Sequence, residues 1–170
     1  MPDCGGEREW FALTCQYQHE KKTASHLRDQ GWEEFLPLRR SARRWSDRCK
    51  TLDLPLFAGY VFCRFPLEYR ISVLRTPGVI SIVGFGHKPA AVSNQEIENL
   101  KALAISTLPV ESWPYLRTGE QVRIRGGPLD GLEGLWVRAE DGNRVVVSVE
   151  LLQRSVAVEI HGSWITPAGG

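Results

Sequence analysis

The chain has 170 residues, a mass of 19.2 kDa and a formal net charge of +1, and 42% of its residues are hydrophobic. This composition is sufficient for one ordinary domain or two small ones. No apolar run reaches the roughly 18 residues of a membrane span, and the start MPDCGGEREW lacks the basic and apolar blocks of a signal peptide. The sequence therefore predicts a folded cytoplasmic protein without a membrane partner.

The first part of the chain alternates strand and helix signals. Strands are predicted at EWFALTCQY (9–17), EEFLPL (33–38), LFAGYVFCRF (56–65) and GVISIVGF (78–85), and helices at 19–32, 67–75 and 93–104. Gly31 suits a helix C-cap, and Ser93 with Glu96 forms a capping box. We expect an α+β fold in which helices cover a mostly antiparallel sheet.

One stretch of this part differs from its neighbours. RRSARRWSDRCK (39–50) contains six basic residues and no helical apolar stripe, so we expect an exposed hairpin. Its cations are Arg39, Arg40, Arg43, Arg44, Arg48 and Lys50.

The chain then changes character. Residues 1–104 carry 15 Lys and Arg against 12 Asp and Glu, whereas residues 119–167 carry five against seven. Between them, STLPVESWPYLRTG holds two prolines and shows no clear hydrophobic period. We expect a linker at residues 106–117 that joins domains at 1–105 and 118–170.

The last part of the chain predicts a small five-stranded β-barrel. Its segments EQVRIRGG, GLWVRAE, NRVVVSVELL and RSVAVEIH alternate apolar and polar residues, and turn signals separate them. About 50 residues of this kind suffice for five short strands around one compact core.

A glycine-rich stretch, GGPLDGLEG at residues 126–134, lies between two of these segments. Three structures suit it: a phosphate cradle, a tight turn or a flexible spacer. A phosphate-binding loop leads into a helix, whereas these glycines lead from strand to strand, and Pro128 with Asp130-Gly131 is turn chemistry. We expect a shaped loop. Together with Val122-Arg123-Ile124, it resembles the KOW motif of transcription and ribosomal proteins.

The resemblance extends upstream. WFALTCQYQHEKKTASHL, PLFAGYVFCRF, RTPGVISIVGFG and the helix at 93–104 are similar, in that order, to the N-terminal domain of the NusG family of transcription elongation factors. It covers about residue 9 to residue 167. Within the family, PLFAGYVFCRF and FGHKPAAVSNQEIENL resemble the specialised RfaH-like antiterminator paralogues more than the general factor. The resemblance implies a monomeric factor that binds the β′ clamp helices of RNA polymerase, bridges the cleft and suppresses pausing, while the KOW domain recruits other factors.

The resemblance implies a polymerase-binding surface formed by Phe57, Tyr60, Phe62, Ile97 and Leu100. Aromatic anchors of this kind supply most of the binding energy of an interface. Side chains at alternate strand positions share a face, so one face of this strand can be core while Tyr60 and Phe62 line a pocket. We therefore expect these rings to be partly uncovered. The alternative is that all five residues belong to the core.

DNA is the second implied partner. In the specialised paralogues, the first helix and the segment before the GV strand touch the exposed non-template strand, and the matching positions here are Gln16, Lys22, His26, Gln30 and Thr76. For the basic hairpin we hypothesise contact with upstream duplex DNA through Arg43 and Arg44. In both cases the alternative is a solvated surface.

The KOW domain of the family binds proteins through a surface that includes the residue after Gly-Pro, usually an aromatic. Here that residue is Leu129, and Trp164 and Ile165 are further candidates unless they merely close the barrel. Leucine keeps apolar area without the ring, which argues against termination factor Rho and weakens the expected affinity for the ribosomal protein NusE.

Two further positions depart from the family's pattern. Ala58 replaces a proline, although Gly59 remains. Leu54 stands where RfaH has an interdomain carboxylate, and RVVVSVELL is strongly β-branched, so we expect a stable barrel and not a helical hairpin.

Enzyme and cofactor chemistry have no support in the sequence. Paired carboxylates, a Ser/His/Asp order and a metal cluster are missing, and histidines 19, 26, 87 and 161 are scattered. Cys4, Cys15, Cys49 and Cys63 form no C-x-x-C pair, which favours buried thiols over zinc or disulfides. Two rival functions remain: a general NusG-type factor that couples to Rho or the ribosome, and an RNA-binding KOW protein.

Overall fold

The computed structural model describes residues 6–106 and 108–169, except the side chains of Arg43 and Trp45. In chain order its strands and α-helices are β1 (Arg8–Cys15), α1 (Glu20–Asp29), β2 (Glu33–Phe35), β3 (Leu38–Trp45), β4 (Arg48–Pro55), β5 (Tyr60–Pro66), α2 (Arg70–Leu74), β6 (Val79–Ile82), β7 (Gly84–Phe85), β8 (Lys88–Pro89), β9 (Ala91–Val92), α3 (Asn94–Ile105), β10 (Val110–Trp113), β11 (Glu120–Ile124), β12 (Glu133–Ala139), β13 (Gly142–Val149), β14 (Arg154–Ile160) and β15 (Ile165–Pro167).

The chain forms two compact units that do not follow the sequence boundary expected at 106–117. The first unit runs to Pro37 and continues over Phe57–Asn94, and the second comprises Leu38–Leu56 and the chain from Gln95 onward. The β3–β4 hairpin and α3 therefore belong to the second unit.

The first unit contains an antiparallel sheet in the order β2-β5-β1-β6, with β9 also paired to β1. Strand β1 lies at its centre, which explains the nearly continuous apolar run from Trp10 to Leu13. One face of β1 and β5 packs with α1 and α2 in a core that includes Phe11, Leu27, Val61, Phe65 and Val73. The rings of Phe11 and Phe65 lie 4.8 Å apart.

Helix α1 ends as the sequence predicts. Gly31 has φ +87°, its N–H donates to Arg28 O at 2.9 Å, and Trp32 N–H donates to Leu27 O at 3.1 Å. A left-handed glycine with these two bonds is a common way to satisfy the last carbonyls of a helix. The chain turns there toward β2.

The second unit holds a six-stranded antiparallel sheet in the order β10-β14-β13-β12-β11-β15. Its buried side chains are mainly β-branched, among them Val122, Val145, Val147, Val156 and Val158. Five strands follow residue 118, as expected, and the chain beyond Glu120 contains no α-helix within the described residues. The α+β fold class is confirmed.

The expected linker needs correction. Residues 110–113 form β10, which pairs antiparallel with β14 from Val110 opposite Val158 to Trp113 opposite Ser155. The stretch VESW is too short to show a period, and its partner strand begins more than 40 residues later, so the local pattern does not reveal the pairing.

Candidate functional site

The outer face of β5 carries the expected aromatic residues. Val61, Cys63 and Phe65 belong to the core cluster, so Tyr60 and Phe62 lie on the opposite face of the strand. There the Phe62 ring stacks with Phe35 at 6.2 Å and meets Phe57 edge-on at 6.3 Å.

These rings are more buried than expected. Phe62 is 0% exposed and Phe57 is 5% exposed, whereas Tyr60 is half-buried. The expectation that the rings are partly uncovered is therefore correct for Tyr60 and wrong for Phe57 and Phe62. The rings of Phe35 and Phe57 flank that of Phe62. The residues next to Phe62 in the sequence do not predict these two contacts. Ile97 and Leu100 of α3 are buried as well.

The turn that leads into β5 is fixed by a residue that sequence reasoning missed. The carboxylate of Glu20, only 5% exposed, accepts a hydrogen bond from Gly59 N at 2.8 Å, and Gly59 O accepts one from Cys15 N at 2.8 Å. Gly59 has φ +86°, a conformation that favours glycine. Because α1 and β1 both hold this turn, Ala58 in place of proline leaves Tyr60 in a fixed position. The burial of an acidic residue in the first turn of α1 has no local sequence signal.

The positions matched to DNA contacts divide into exposed and buried ones. Gln16, Lys22, His26 and Gln30 are exposed. Thr76 is 2% exposed, and its hydroxyl donates to Gln30 Oε1 at 3.0 Å. The prediction that Thr76 contacts DNA directly is therefore wrong in this structure. Thr76 is buried and positions the side chain of Gln30 instead.

A cavity of about 540 Å³ lies beside Gln30. Of its five lining residues, the sequence predicted a binding role only for Gln30. The other lining residues are Trp32, Tyr69, Ser72 and Arg75. The rings of Trp32 and Tyr69 lie 5.5 Å apart. Flat rings beside a guanidinium and an amide can stack on and hydrogen-bond to a planar polar ligand such as a nucleobase. Trp32 follows Gly31 in sequence, but Tyr69 and Arg75 join it only through the fold.

The basic hairpin exists as expected. Strands β3 and β4 pair over eight positions, from Leu38 opposite Pro55 to Trp45 opposite Arg48. Arg40, Arg44, Arg48 and Lys50 are exposed, and Arg40 Nε lies 3.9 Å from Asp53 Oδ1. The side chain of Arg43 lies outside the described part of the structure. The six cations of the hairpin outnumber its two carboxylates, Asp47 and Asp53, so the hairpin carries a positive field suited to phosphate.

The glycine-rich loop is a fixed turn. Asp130 Oδ1 accepts a hydrogen bond from Gly126 N at 2.8 Å, and the Trp164 ring covers Gly126 and Gly127. Leu129 is 2% exposed, so it cannot present its side chain to a partner as the loop stands. This corrects its expected binding role: the leucine packs inward. Trp164 and Ile165 are half-buried and remain candidates.

The cysteines are only partly as expected. Burial raises the pKa of Cys15 to about 11 and that of Cys63 to about 12. Cys49, on β4, is exposed, contrary to expectation, and Cys4 lies outside the described residues. Among residues 6–106 and 108–169, no group of three or more His, Cys, Asp or Glu could hold a metal ion. No described helix is long and apolar enough to cross a membrane.

Comparisons with known proteins agree on one family. A family model described as "Transcription termination factor nusG" matches residues 8–101. Proteins named "Transcription termination/antitermination protein NusG" are similar to the chain. The one from Borreliella burgdorferi is 24% identical over 174 residues, which cover 90% of this chain and 95% of that protein. The one from Staphylococcus aureus is 28% identical over 174 residues, which cover 92% and 93%.

A solved structure of Thermotoga maritima NusG has a TM-score of 0.59 and 22% identity, and the match covers 95% of this chain and 98% of that one. At this identity the likeness concerns the fold.

Proposed function

Because the family match spans more than half of its residues, this chain belongs to the NusG family of transcription termination and antitermination factors, and we propose that it binds RNA polymerase through its N-terminal domain and suppresses pausing. As a member of this family it acts in transcription and is not an enzyme. We propose that it works as a monomer in the cytoplasm, where it bridges the polymerase cleft from the β′ clamp helices.

The outer face of β5 carries this proposal. Tyr60 is half-buried, lies beside the aromatic group of Phe35, Phe57 and Phe62, and follows a turn that Glu20 holds in place. A backbone held in this way loses little conformational freedom on binding, which suits the position of an interface anchor. Phe57 and Phe62 are buried as the structure stands, so docking through them requires that this face becomes uncovered.

Capture of purified core RNA polymerase on immobilised protein tests the proposal. We expect Tyr60→Ala to weaken binding at least about tenfold, because a central aromatic anchor contributes on the order of 2 kcal/mol. Tyr17→Ala is the matched control, since Tyr17 is a tyrosine of the same unit that is 78% exposed. Wild-type binding by Tyr60→Ala would contradict the proposal.

DNA is the second proposed partner. The exposed side chains of Gln16, Lys22, His26 and Gln30 and the cavity beside Gln30 support contact with the single-stranded non-template strand, because aromatic rings stack on bases and cations attract phosphates. The basic hairpin supports contact with upstream duplex DNA.

The residue after Gly-Pro in the glycine-rich loop bears on whether the protein acts at particular operons or at all genes. We propose an RfaH-like antiterminator that acts at particular operons, since Leu129 provides neither an aromatic ring nor an exposed side chain for Rho. Trp164 and Ile165 are half-buried and support contact with NusE. Pausing assays over several leader templates separate the two classes. Suppression on a few templates supports the specialised role, and equal suppression on all of them indicates a general factor.

A further inference from the structure

Residues 110–116 extend the sheet beside β14 and are held at both ends. At one end, β10 pairs with the edge of β14. At the other end, Leu116 N donates to Ser155 Oγ at 3.1 Å, and Ser148 Oγ donates to Leu116 O at 3.0 Å.

A buried arginine recognises the carboxylate of this segment. The side chain of Arg144 is 8% exposed, and its Nε donates to Glu111 Oε1 at 2.9 Å. Its Nη2 donates to Asp141 at 2.9 Å, and its Nη1 lies 3.9 Å from Glu159 Oε2 with no hydrogen-bond partner among the described residues. A buried guanidinium that loses one of its carboxylates is costly, so the position opposite β14 strongly prefers an acidic residue.

The second contact recognises backbone alone. Ser148 and Ser155 are opposite each other on β13 and β14, and their hydroxyl oxygens lie 2.6 Å apart. A hydroxyl has one proton, and that of Ser148 goes to Leu116 O, so Ser155 must donate to Ser148 and accept from Leu116 N. The two serines thus clamp both backbone groups of one residue without regard to its side chain.

The segment is more exposed to solvent than the strands beside it. Glu111 and Ser112 are exposed and Val110 and Trp113 only half-buried, whereas Val146 of β13 and Ala157 of β14 are each 1% exposed. Prolines 109 and 114 bound β10 and limit it to four residues. The two strands of the sheet are therefore more completely buried than the segment that pairs with their edge.

We propose that the β14 edge, with Arg144 and the Ser148–Ser155 clamp, is a strand-acceptor site for an extended segment of a partner protein that carries a carboxylate five residues before the clamped residue. Segment 110–116 occupies this site within the chain and is displaced when the partner binds. Pairing to an open sheet edge supplies affinity through backbone hydrogen bonds, and Arg144 supplies selection. This site does not involve the residues proposed above for polymerase or DNA, and it does not depend on them.

A peptide of residues 108–118, LPVESWPYLRT, blocked at both ends and carrying a fluorophore, is the probe. It is titrated with the full chain, with Glu111→Lys, which turns the contact with Arg144 repulsive and frees the site, and with Glu120→Lys as a matched charge control. Glu120 is exposed on β11. We expect Glu111→Lys to bind the peptide at least about tenfold more tightly than the other two chains, because charged hydrogen bonds are the stronger ones.

Two altered peptides test each half of the site on the Glu111→Lys chain. Replacing the peptide glutamate by glutamine removes the charge that Arg144 recognises, and N-methylation of the Leu116 amide removes the donor to Ser155. Each change is expected to weaken binding about tenfold. Equal binding of all three peptides, or equal binding by all three chains, would overturn the proposal.

Loss of the fold in Glu111→Lys is detected by circular dichroism, and Glu111→Gln then replaces it with the same expected ranking. Amide chemical shifts locate the bound peptide. Shifts confined to β13, β14 and the displaced residues 110–116 support the site, and shifts elsewhere contradict it.

Discussion

Single residues decide how the glycine-rich loop folds. Gly127 has φ +70°, and a Cβ built there would lie 2.5 Å from Trp164 Cζ3. Gly131 has φ +89°, with nothing within 4 Å of its Cβ position. Turn residues in GGPLDGLEG predicted a shaped loop, but the ring above Gly127 comes from a residue more than 30 positions later and could not be inferred from the loop's own sequence.

The two glycines provide a matched test. Gly127→Ala and Gly131→Ala incur similar backbone strain of about 1 kcal/mol, and only Gly127→Ala adds a collision with a packed ring. We expect Gly127→Ala to lower the free energy of unfolding by about 1–3 kcal/mol more than Gly131→Ala. Urea denaturation followed by Trp fluorescence measures both. Equal losses would mean that the Trp164 ring moves aside freely.

Thiol reactivity should separate the cysteines by burial. With pKa values raised to about 11 and 12, Cys15 and Cys63 hold at most about 0.1% thiolate at pH 8. Cys49 is exposed. In a Cys4→Ser background, we expect iodoacetamide to modify Cys49 alone, as located by mass spectrometry. The same reaction in urea should label all three, and native labelling of Cys15 at the Cys49 rate would contradict the burial.

At the scale of elements, hydrophobic periodicity predicted most of the strands and helices. The burial of single side chains and the contacts between distant segments could be read only from the folded structure. The alternation in YVFCRF correctly separated two faces of β5, yet it could not reveal that Phe35 and Phe57 flank Phe62. The role of Glu20 was not predictable from the sequence either, because its hydrogen-bond partner Gly59 lies 39 positions away. The hairpin was predictable because six cations in twelve residues exclude a buried element.

The link between α1 and the β5 turn can be tested through Glu20. Glu20→Ala leaves the N–H of Gly59 without its acceptor, which we expect to cost about 1–3 kcal/mol of unfolding free energy. Glu20→Gln keeps an acceptor oxygen and should lose distinctly less. Thermal or urea denaturation gives both values, and amide shifts of Tyr60 report whether the turn moves. Equal stability of all three chains would show that water replaces the carboxylate.

At the scale of the whole molecule, charge is distributed for function more than for stability. The hairpin cations are mostly exposed, and surface ion pairs such as Arg40–Asp53 contribute little to folding. Their expected role is attraction of phosphate.

The salt dependence of complex formation tests that role. We expect the double variant Arg43→Gln/Arg44→Gln to flatten the slope of log K against log salt by about 0.9 for each duplex phosphate that the protein no longer neutralises. Binding is measured with polymerase on an upstream duplex between low and moderate salt. Arg125→Gln/Arg154→Gln, which removes two exposed arginines of the C-terminal part, is the charge-matched control. An unchanged slope in the hairpin variant would remove DNA contact as its function.

The central place of β1 also affects how the protein is made. Its partners include Tyr60 opposite Thr14, Ile82 opposite Leu13 and Val92 opposite Trp10, so β1 leaves the ribosome well before the segments with which it pairs. At about 5–20 residues per second, the nascent Trp10–Leu13 run stays unpaired for several seconds. Chaperones can bind it during that interval. The yield of native protein should therefore depend on how fast the codons between Cys15 and Tyr60 are read.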